Sequence, residues 1–439
     1  MIYDILFLML ALLSVIAYSK KRYKYFLVFL FSVLSKVWGI CPSGNIKSYD
    51  LILVITILTS LIGYLRNRQF FSVKNDPLGK MIIILLSYVI IAAILSPLRG
   101  VESLPYALMV ARFDFFYLLY FVFRQIPIKR FEESVRPIIF LSIINGVIYY
   151  LQYCGIFVLA QSDTASSLGD SRFNNIPIFT LEIFFLFFLV KGKTWKKMFS
   201  LIFFGGMIVG SQNRTMIFGV VLAIIIYLIL NYRKGLIEKK TIIIVLALCC
   251  MASSFVAYRF SQKGSAGGGL ASEIEMGYAM YSTGSYRLYD NHMIDTEGTL
   301  AFRFALILER VDYLSKRPIS LIFGAGGYHE KSTSTKKLPF VFGSLDGDAV
   351  QKVDTTDVAL LSRFFRYGLL FVFLYLVFII KSLKICNNND LLESQVYMLM
   401  MICYFGWAIC GDVFYQASIF MPVLCMMPYL LNKRCIDFK

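Results

Sequence analysis

Several arginines lie within or next to long apolar segments of this chain, where a charged side chain is costly. An ionisable group at the centre of a membrane-spanning helix costs at least ~2.5–3.5 kcal/mol, so its retention suggests a function. The planar guanidinium binds phosphate through two parallel hydrogen bonds, which a lysine ammonium cannot form. The pattern predicts a site for a phosphate-bearing lipid, with these candidate ligands: Arg112, Arg172, Arg214, Arg303, Arg363 and Arg366.

A structural role remains open for each of these arginines. Arg112 shares the apolar segment 106–123 with Asp114, so it could form an ion pair or extend to the membrane surface. Arg363 and Arg366 are three residues apart, which places both on one face of a helix. A salt bridge and a ligand site therefore compete as explanations at every position.

The chain as a whole is far more apolar than a soluble domain. Of its 439 residues 58% are hydrophobic and 16% are charged, and the mean hydropathy is +0.69. Segments long enough to cross about 30 Å of hydrocarbon must be helical there, because the backbone has to satisfy its own hydrogen bonds. We therefore predict an all-α polytopic membrane protein of about 12–13 transmembrane helices. The predicted spans are 2–18, 25–41, 50–65, 81–97, 105–123, 137–160, 173–190, 198–212, 214–230, 241–258, 358–380, 394–410 and 413–431.

The formal net charge of +17 follows this topology and is no sign of a nucleic-acid partner. Basic clusters occupy alternate loops, for example 20–24, 191–197 and 231–240, whereas loops 98–104 and 160–172 are almost free of lysine. The positive-inside rule places the basic loops in the cytoplasm. The pattern predicts a multi-pass protein with its N-terminus outside and its C-terminus in the cytoplasm.

One long polar segment separates two groups of predicted membrane helices. Residues 1–258 are predicted to form an N-terminal transmembrane bundle, residues 259–357 an extracytoplasmic loop domain, and residues 358–439 the C-terminal transmembrane helices. The loop domain combines a helix-like pattern at 300–315 with a glycine-rich turn at 324–327. It is longer than an ordinary connector, so we expect one large, partly helical cap over the outer face of the bundle.

The nine cysteines give no sign of a disulfide framework or a metal site. Most lie inside apolar segments, where cysteine behaves as a small hydrophobic residue. No two of them have the C-x-x-C spacing that is typical of zinc ligands.

Four segments, in this order, resemble parts of the O-antigen polymerase and O-antigen ligase superfamily. SRFNNIPIF (171–179) resembles the family's Arg–aromatic–Asn–Pro sequence before a mid-chain span, and GSQNRTMIF (210–218) resembles its Ser/Arg junction. FRFALILERVDYLSKRPISLIFGAGG (302–327) resembles the helix, proline and G-x-G-G turn of the periplasmic loop. DVALLSRFFRYGLL (357–370) aligns with the motif that begins the next span.

The resemblance implies a metal-independent inverting glycosyltransferase of the GT-C-like kind, without cofactors, at the outer face of the bacterial inner membrane. Its substrates would be oligosaccharide repeat units linked to undecaprenyl pyrophosphate. It would polymerise them into O-antigen of lipopolysaccharide, capsule or exopolysaccharide, and the arginines would bind the pyrophosphate. Arg214 and Arg303 match the family's arginines. The bilayer and a chain-length regulator protein are the further partners that the resemblance implies.

Two residues compete for the role of general base. The ligase has a histidine where this chain has Asp357, which favours the polymerase and makes Asp357 a candidate base; the alternative role is a helix N-cap. His329 directly follows the sequence GAGGY, and an imidazole pKa of about 6.5 suits proton transfer; the alternative is a surface loop residue. If neither residue is the base, Asp354 and Glu330 are the next candidates.

Other functions remain open. An O-antigen ligase, which transfers finished polymer to the lipid A core, is the closest alternative to the polymerase. A polysaccharide transporter is less favoured, because transporters are usually built from inverted repeats with short loops. A purely structural membrane protein is the last alternative.

Overall fold

The structure is a computed structural model and describes residues 2–34, 48–154, 156, 178–210, 214–232, 243, 270–284, 300–346, 349–353, 358–387, 391–408 and 417–437. Within these residues the chain is helical, apart from its loops and one two-stranded antiparallel hairpin. Five sequence predictions fall wholly or largely outside the described residues: the span 241–258, the motif 171–179, Arg172, Asp354 and Asp357.

The described helices follow the predicted apolar segments closely. In chain order they are α1 (Ile2–Ser19), α2 (Tyr23–Leu34), α3 (Ser48–Arg66), α4 (Pro77–Leu98), α5 (Leu104–Ala111), α6 (Leu119–Arg124), α7 (Ile128–Tyr153), α8 (Ile178–Lys191), α9 (Thr194–Gly210), α10 (Arg214–Tyr232), α11 (Leu270–Thr283), α12 (Leu300–Ser315), α13 (Pro318–Phe323), α14 (Thr333–Lys336), α15 (Leu361–Cys386), α16 (Leu392–Ala408) and α17 (Ala417–Asp437). A 3₁₀ stretch, Arg112–Leu118, joins α5 to α6. Strands β1 (Ser344–Asp346) and β2 (Ala349–Gln351) form the hairpin.

Among the described residues, five helical stretches are long and apolar enough to cross a membrane, which confirms the predicted class of multi-pass helical membrane protein. They are Tyr49–Arg66, Pro77–Leu98, Leu104–Arg124, Ile128–Leu151 and Leu361–Cys386. In α4, Ile82 is fully buried whereas Ile91 is 56% exposed. An apolar helix with a large exposed apolar face is typical of a span whose outer side meets lipid.

The ends of the helices sort onto two sides of the bundle. One side gathers the basic loops, which contact one another through hydrogen bonds and ion pairs: Arg66 with the Tyr18 carbonyl, Arg124 with Asp76, Asn432 with the Arg124 carbonyl, and Lys191 and Lys433 with Glu393. We call this side the basic end. The opposite side, which we call the site end, carries loop 99–103 and an ion pair between Arg112 and Asp50.

The segment 300–353 packs against the site end. The helix predicted at 300–315 is confirmed as α12, and it positions a fully buried arginine, Arg310. The Arg310 guanidinium donates to the carbonyls of Phe342 (2.5 Å) and Lys352 (2.7 Å), and it lies 4.2 Å from the Phe340 ring centroid. These bonds tie the chain that follows α14 back onto α12.

Candidate functional site

A break in α15 exposes backbone carbonyls at the site end. Gly368, inside this helix, has φ 80° and ψ −177°, a conformation that is readily adopted only by glycine. Carbonyls on the N-terminal side of the break accept hydrogen bonds from other elements: Phe365 from Ala325 N (2.7 Å), Arg366 from Gly326 N (3.2 Å) and Tyr367 from the Tyr88 hydroxyl (2.8 Å). The break therefore docks the glycine-rich turn onto the helix.

The turn 324–327 approaches this closely because its glycines lack side chains. Gly324 has φ 82°, and a Cβ atom there would overlap the carbonyl of Arg366. Gly326 has φ 119°, and a Cβ atom there would lie 2.5 Å from Cγ1 of Val101. The turn is thus pressed between α15 and loop 99–103, and it carries His329 to the same place.

His329 is held in a defined orientation. Its ring stacks on Tyr106 of α5, with centroids 5.3 Å apart and an interplanar angle of 24°. Its Nδ1 accepts a hydrogen bond from the Lys331 amide (3.2 Å), and its carbonyl accepts one from the Thr335 hydroxyl (2.8 Å). Because Nδ1 is an acceptor here, the neutral ring carries its proton on Nε2 and acts as a donor from that atom.

The surroundings of His329 keep it neutral. Burial lowers the pKa of the imidazole below its usual value, and the positive charges of Arg366, Arg112 and Lys331 lower it further. The charge of Glu102 opposes this shift. The geometry agrees: the turn bonds to the Arg366 carbonyl and packs against Val101, beside Glu102, while His329 stacks on Tyr106 of α5, the helix that ends at Arg112. We call Arg112, Arg366, His329 and Glu102 the cluster.

Glu102 is the site residue that the sequence analysis missed. It lies in the short loop between two spans and is only 5% exposed. Its Oε1 accepts a hydrogen bond from the Ser103 amide (2.9 Å), while its Oε2 is buried with no hydrogen-bond partner among the described residues. A buried carboxylate oxygen without a donor is costly, so this atom fits a hydroxyl group of a ligand. An acidic residue in a lysine-poor loop was the signal that could have found it.

The two arginines of the cluster come from different spans. Arg366, in the N-terminal part of α15, is 9% exposed. Arg112 begins the 3₁₀ stretch, pairs with Asp50 (2.9 Å) and lies 4.9 Å from the Tyr49 ring centroid. Arg112 therefore forms an ion pair, but with Asp50 of α3 and not with Asp114, which pairs with Arg363.

Arg363 has different surroundings from Arg366. It is fully buried, and its Nε (3.2 Å) and one terminal nitrogen (2.9 Å) donate to Oδ1 of Asp114. The Tyr367 hydroxyl donates to the other carboxylate oxygen (3.2 Å), and the Tyr375 ring centroid lies 4.6 Å from the guanidinium. This is an internal ion pair within the bundle, and such geometry favours the structural role for Arg363.

The remaining candidates are spread along the chain. Arg303 is half-buried on α12, two helical turns before the structural Arg310 on the same side of the helix. Arg214 is the first residue of α10 at the site end, and Glu330 accepts a hydrogen bond from the Val353 amide. Arg172 and Asp357 lie outside the described residues, so their proposed roles stay predictions.

The cluster of Arg112, Arg366, His329 and Glu102 combines complementary groups. Two guanidinium groups and a ring N–H can stabilise an anion, and a buried carboxylate can accept a proton from a hydroxyl. No group of three or more His, Cys, Asp or Glu side chains in the described part of the chain could hold a metal ion. The arrangement suits a reaction in which an anion departs while a hydroxyl is deprotonated.

No protein-family model, no curated protein and no solved structure matches this chain.

Proposed function

We propose that this membrane protein polymerises oligosaccharide repeat units linked to undecaprenyl pyrophosphate, by inverting glycosyl transfer at the outer face of the bacterial inner membrane. One observation carries the proposal: the turn 324–327 brings His329 to Arg366, Glu102 and Arg112 at the end of the bundle opposite the basic loops, through its bond to the Arg366 carbonyl, its packing against Val101 and the stacking of His329 on Tyr106. The ordered sequence motifs and the basic-loop pattern support it. The cap 259–357 would then lie on the outer side.

In this proposal, the hydroxyl of one lipid-linked repeat unit attacks the anomeric carbon of a second glycan. A C–O bond forms at the anomeric carbon, and the bond from that carbon to the pyrophosphate oxygen breaks. The electron pair of the broken bond leaves with undecaprenyl pyrophosphate, whose charge Arg366 and Arg112 stabilise. The proton of the attacking hydroxyl passes to a base.

Glu102 is the base that the geometry favours among the described residues. Its free Oε2 is an acceptor, whereas His329 already uses Nδ1 to accept the Lys331 amide and offers a donor at Nε2. His329 then assists the arginines by donating to the pyrophosphate. The sequence resemblance suggests Asp357 as the base instead. Substituting Glu102 and Asp357 one at a time distinguishes the two candidates.

The test is glycan chain length in the native host, read as a ladder on a gel. Each variant is expressed from a plasmid in a strain that lacks the chromosomal gene. Glu102→Gln and Arg366→Gln should each reduce polymer to about one-hundredth or less. The first removes the general base, which contributes on the order of 10²-fold or more, and the second removes a charged contact that contributes on the order of 3 kcal/mol to transition-state stabilisation. Lys316→Gln is the matched control: this lysine is exposed at the same end and forms only a surface pair with Asp312 (2.7 Å).

The outcome separates the alternatives. Loss of the polymerase leaves single repeat units attached to the lipid A core, loss of a ligase leaves full-length polymer on the carrier lipid, and loss of a transporter leaves carrier-linked units at the inner face. Long chains in Glu102→Gln together with none in Asp357→Asn would move the base to Asp357. Long chains in both Arg366→Gln and Arg112→Gln would remove the arginines from the site.

A further inference from the structure

A cavity lies at the basic end of the bundle, and none of the four cluster residues lines it. Its volume is about 560 Å³, within the range of roughly 300–1,000 Å³ that is typical of ligand pockets. Six helices line it, namely α2, α7, α8, α9, α16 and α17, and its lining divides into two zones. The wall is apolar and includes Phe31, Ile139, Phe188 and Met426, whereas the mouth is charged.

The charges at the mouth do not cancel. Two carboxylates, Glu132 and Glu393, face four cations there: Arg136, Lys191, Lys196 and Lys433. Lys191 and Lys433 pair with Glu393, and Lys433 also lies 3.4 Å from Glu132. No carboxylate of the described residues forms an ion pair with Arg136 or Lys196. The mouth therefore offers two positive charges to an anion.

The depth of the cavity corresponds to one leaflet of a membrane. Lys433 at the mouth and Pro422 in the wall both belong to α17 and are eleven residues apart. At 1.5 Å per residue they are separated by about 16 Å along the helix. That is about half of the ~30 Å hydrocarbon thickness. An occupant that fits would place an anionic group at the basic end and an acyl chain along the apolar wall.

We propose that this cavity binds an anionic phospholipid from the leaflet on the basic side of the membrane. The phosphate lies between Arg136 and Lys196, and one acyl chain extends toward Pro422. A zwitterionic lipid fits the wall equally well but does not balance the two uncompensated charges. This lipid site is separate from the glycosyl-transfer site proposed above and does not depend on it.

The test is lipid binding to delipidated full-length protein in detergent, measured by native mass spectrometry. The probes are phosphatidylglycerol and phosphatidylethanolamine with identical acyl chains. Phosphatidylglycerol should bind at least tenfold more tightly to the natural protein. Replacing both Arg136 and Lys196 with Gln should weaken its binding about 30-fold, the equivalent of about 2 kcal/mol for two interfacial charges.

The matched control is Lys193→Gln with Lys197→Gln, which also removes two positive charges next to Lys196 but outside the cavity lining. This double variant should keep the tenfold preference. Ile139→Phe should weaken the binding of both lipids, because the larger side chain narrows the cavity. The thermal midpoint of this variant without lipid should equal that of the natural protein.

Three results would overturn the proposal. The first is equal affinity for the two lipids, and the second is unchanged phosphatidylglycerol binding in the Arg136/Lys196 variant. The third is tighter binding of undecaprenyl phosphate than of phosphatidylglycerol, which would assign the cavity to the carrier lipid.

Discussion

Removing one partner of the Arg363–Asp114 pair should destabilise the protein strongly, whereas removing both should not. Arg363 is fully buried and Asp114 is 2% exposed, so neither charge has solvent to replace a lost partner. Breaking a buried pair leaves an uncompensated charge and costs about 3–5 kcal/mol. Replacing both groups by apolar side chains of similar volume is often neutral.

The assay is the apparent thermal midpoint of the purified protein in detergent, read as the fraction that stays monodisperse after heating. Arg363→Met and Asp114→Leu should each lower the midpoint by on the order of 10 °C. The double variant should recover most of that loss, and it should also recover polymer formation, because Arg363 is assigned no contact with substrate. Arg366→Gln serves as the contrast: its midpoint should change little while polymer is lost.

The result that would refute this reasoning is specific. If Arg363→Met keeps the natural midpoint but makes no polymer, and the double variant also makes none, Arg363 binds substrate and its pair with Asp114 is incidental. If the double variant is as unstable as the single ones, the Tyr117 and Tyr375 rings around the guanidinium require the charge itself.

Two further predictions concern the turn and its histidine. Gly368→Ala should lower the midpoint and abolish polymer, since its backbone conformation costs a non-glycine residue about 1–3 kcal/mol and the added Cβ would overlap the Ile322 carbonyl. The stability of the protein should fall as pH drops below about 6.5, because the unfolded chain takes up a proton at His329 before the folded chain does. His329→Gln should flatten this slope in thermal midpoints measured between pH 5.5 and 7.5.

Each of these predictions has its own comparison. Gly284 also has a positive φ (60°) but has open space around it, so Gly284→Ala should cost much less than Gly368→Ala. Equal losses at the two glycines would mean that packing at the break is unimportant. For the pH slope, His292→Gln is the comparison, since the chain has only two histidines. A slope that persists in His329→Gln belongs to other groups.

The sequence predicted those features that depend on local pattern. Apolar length predicted the five stretches that are long enough to cross a membrane, and the pattern at 300–315 predicted α12. The sequence also singled out Arg366 and His329. It could not separate Arg363 from Arg366, because two residues on one helical face differ only in what packs opposite them. Arg363 bonds to Asp114, whereas the backbone of Arg366 bonds to the turn 324–327.

The sequence did not identify Glu102 as a site residue for a related reason. A single acidic residue in a five-residue loop has no periodicity and belongs to no motif, and the loop packs against the turn 324–327, which is more than 200 residues away in sequence. Similarly, the 3₁₀ stretch that carries Arg112 and Asp114 interrupts a segment that reads as one continuous apolar helix. Arg112 and Asp114 of this stretch bond to Asp50 and Arg363, partners that are distant in sequence.

The break at Gly368 also has a consequence for how the protein opens. The amides of Ala325 and Gly326 and the carbonyls of Phe365 and Arg366 satisfy one another, so neither segment can separate without leaving polar backbone groups unpaired. The turn and the first part of α15 therefore form one cooperative unit of local unfolding. The same event moves His329, which directly follows the turn, and removes the contact of Gly326 with Val101, beside Glu102. A ligand therefore reaches the cluster through this opening only as often as the amide hydrogens of Ala325 and Gly326 become free to exchange with solvent.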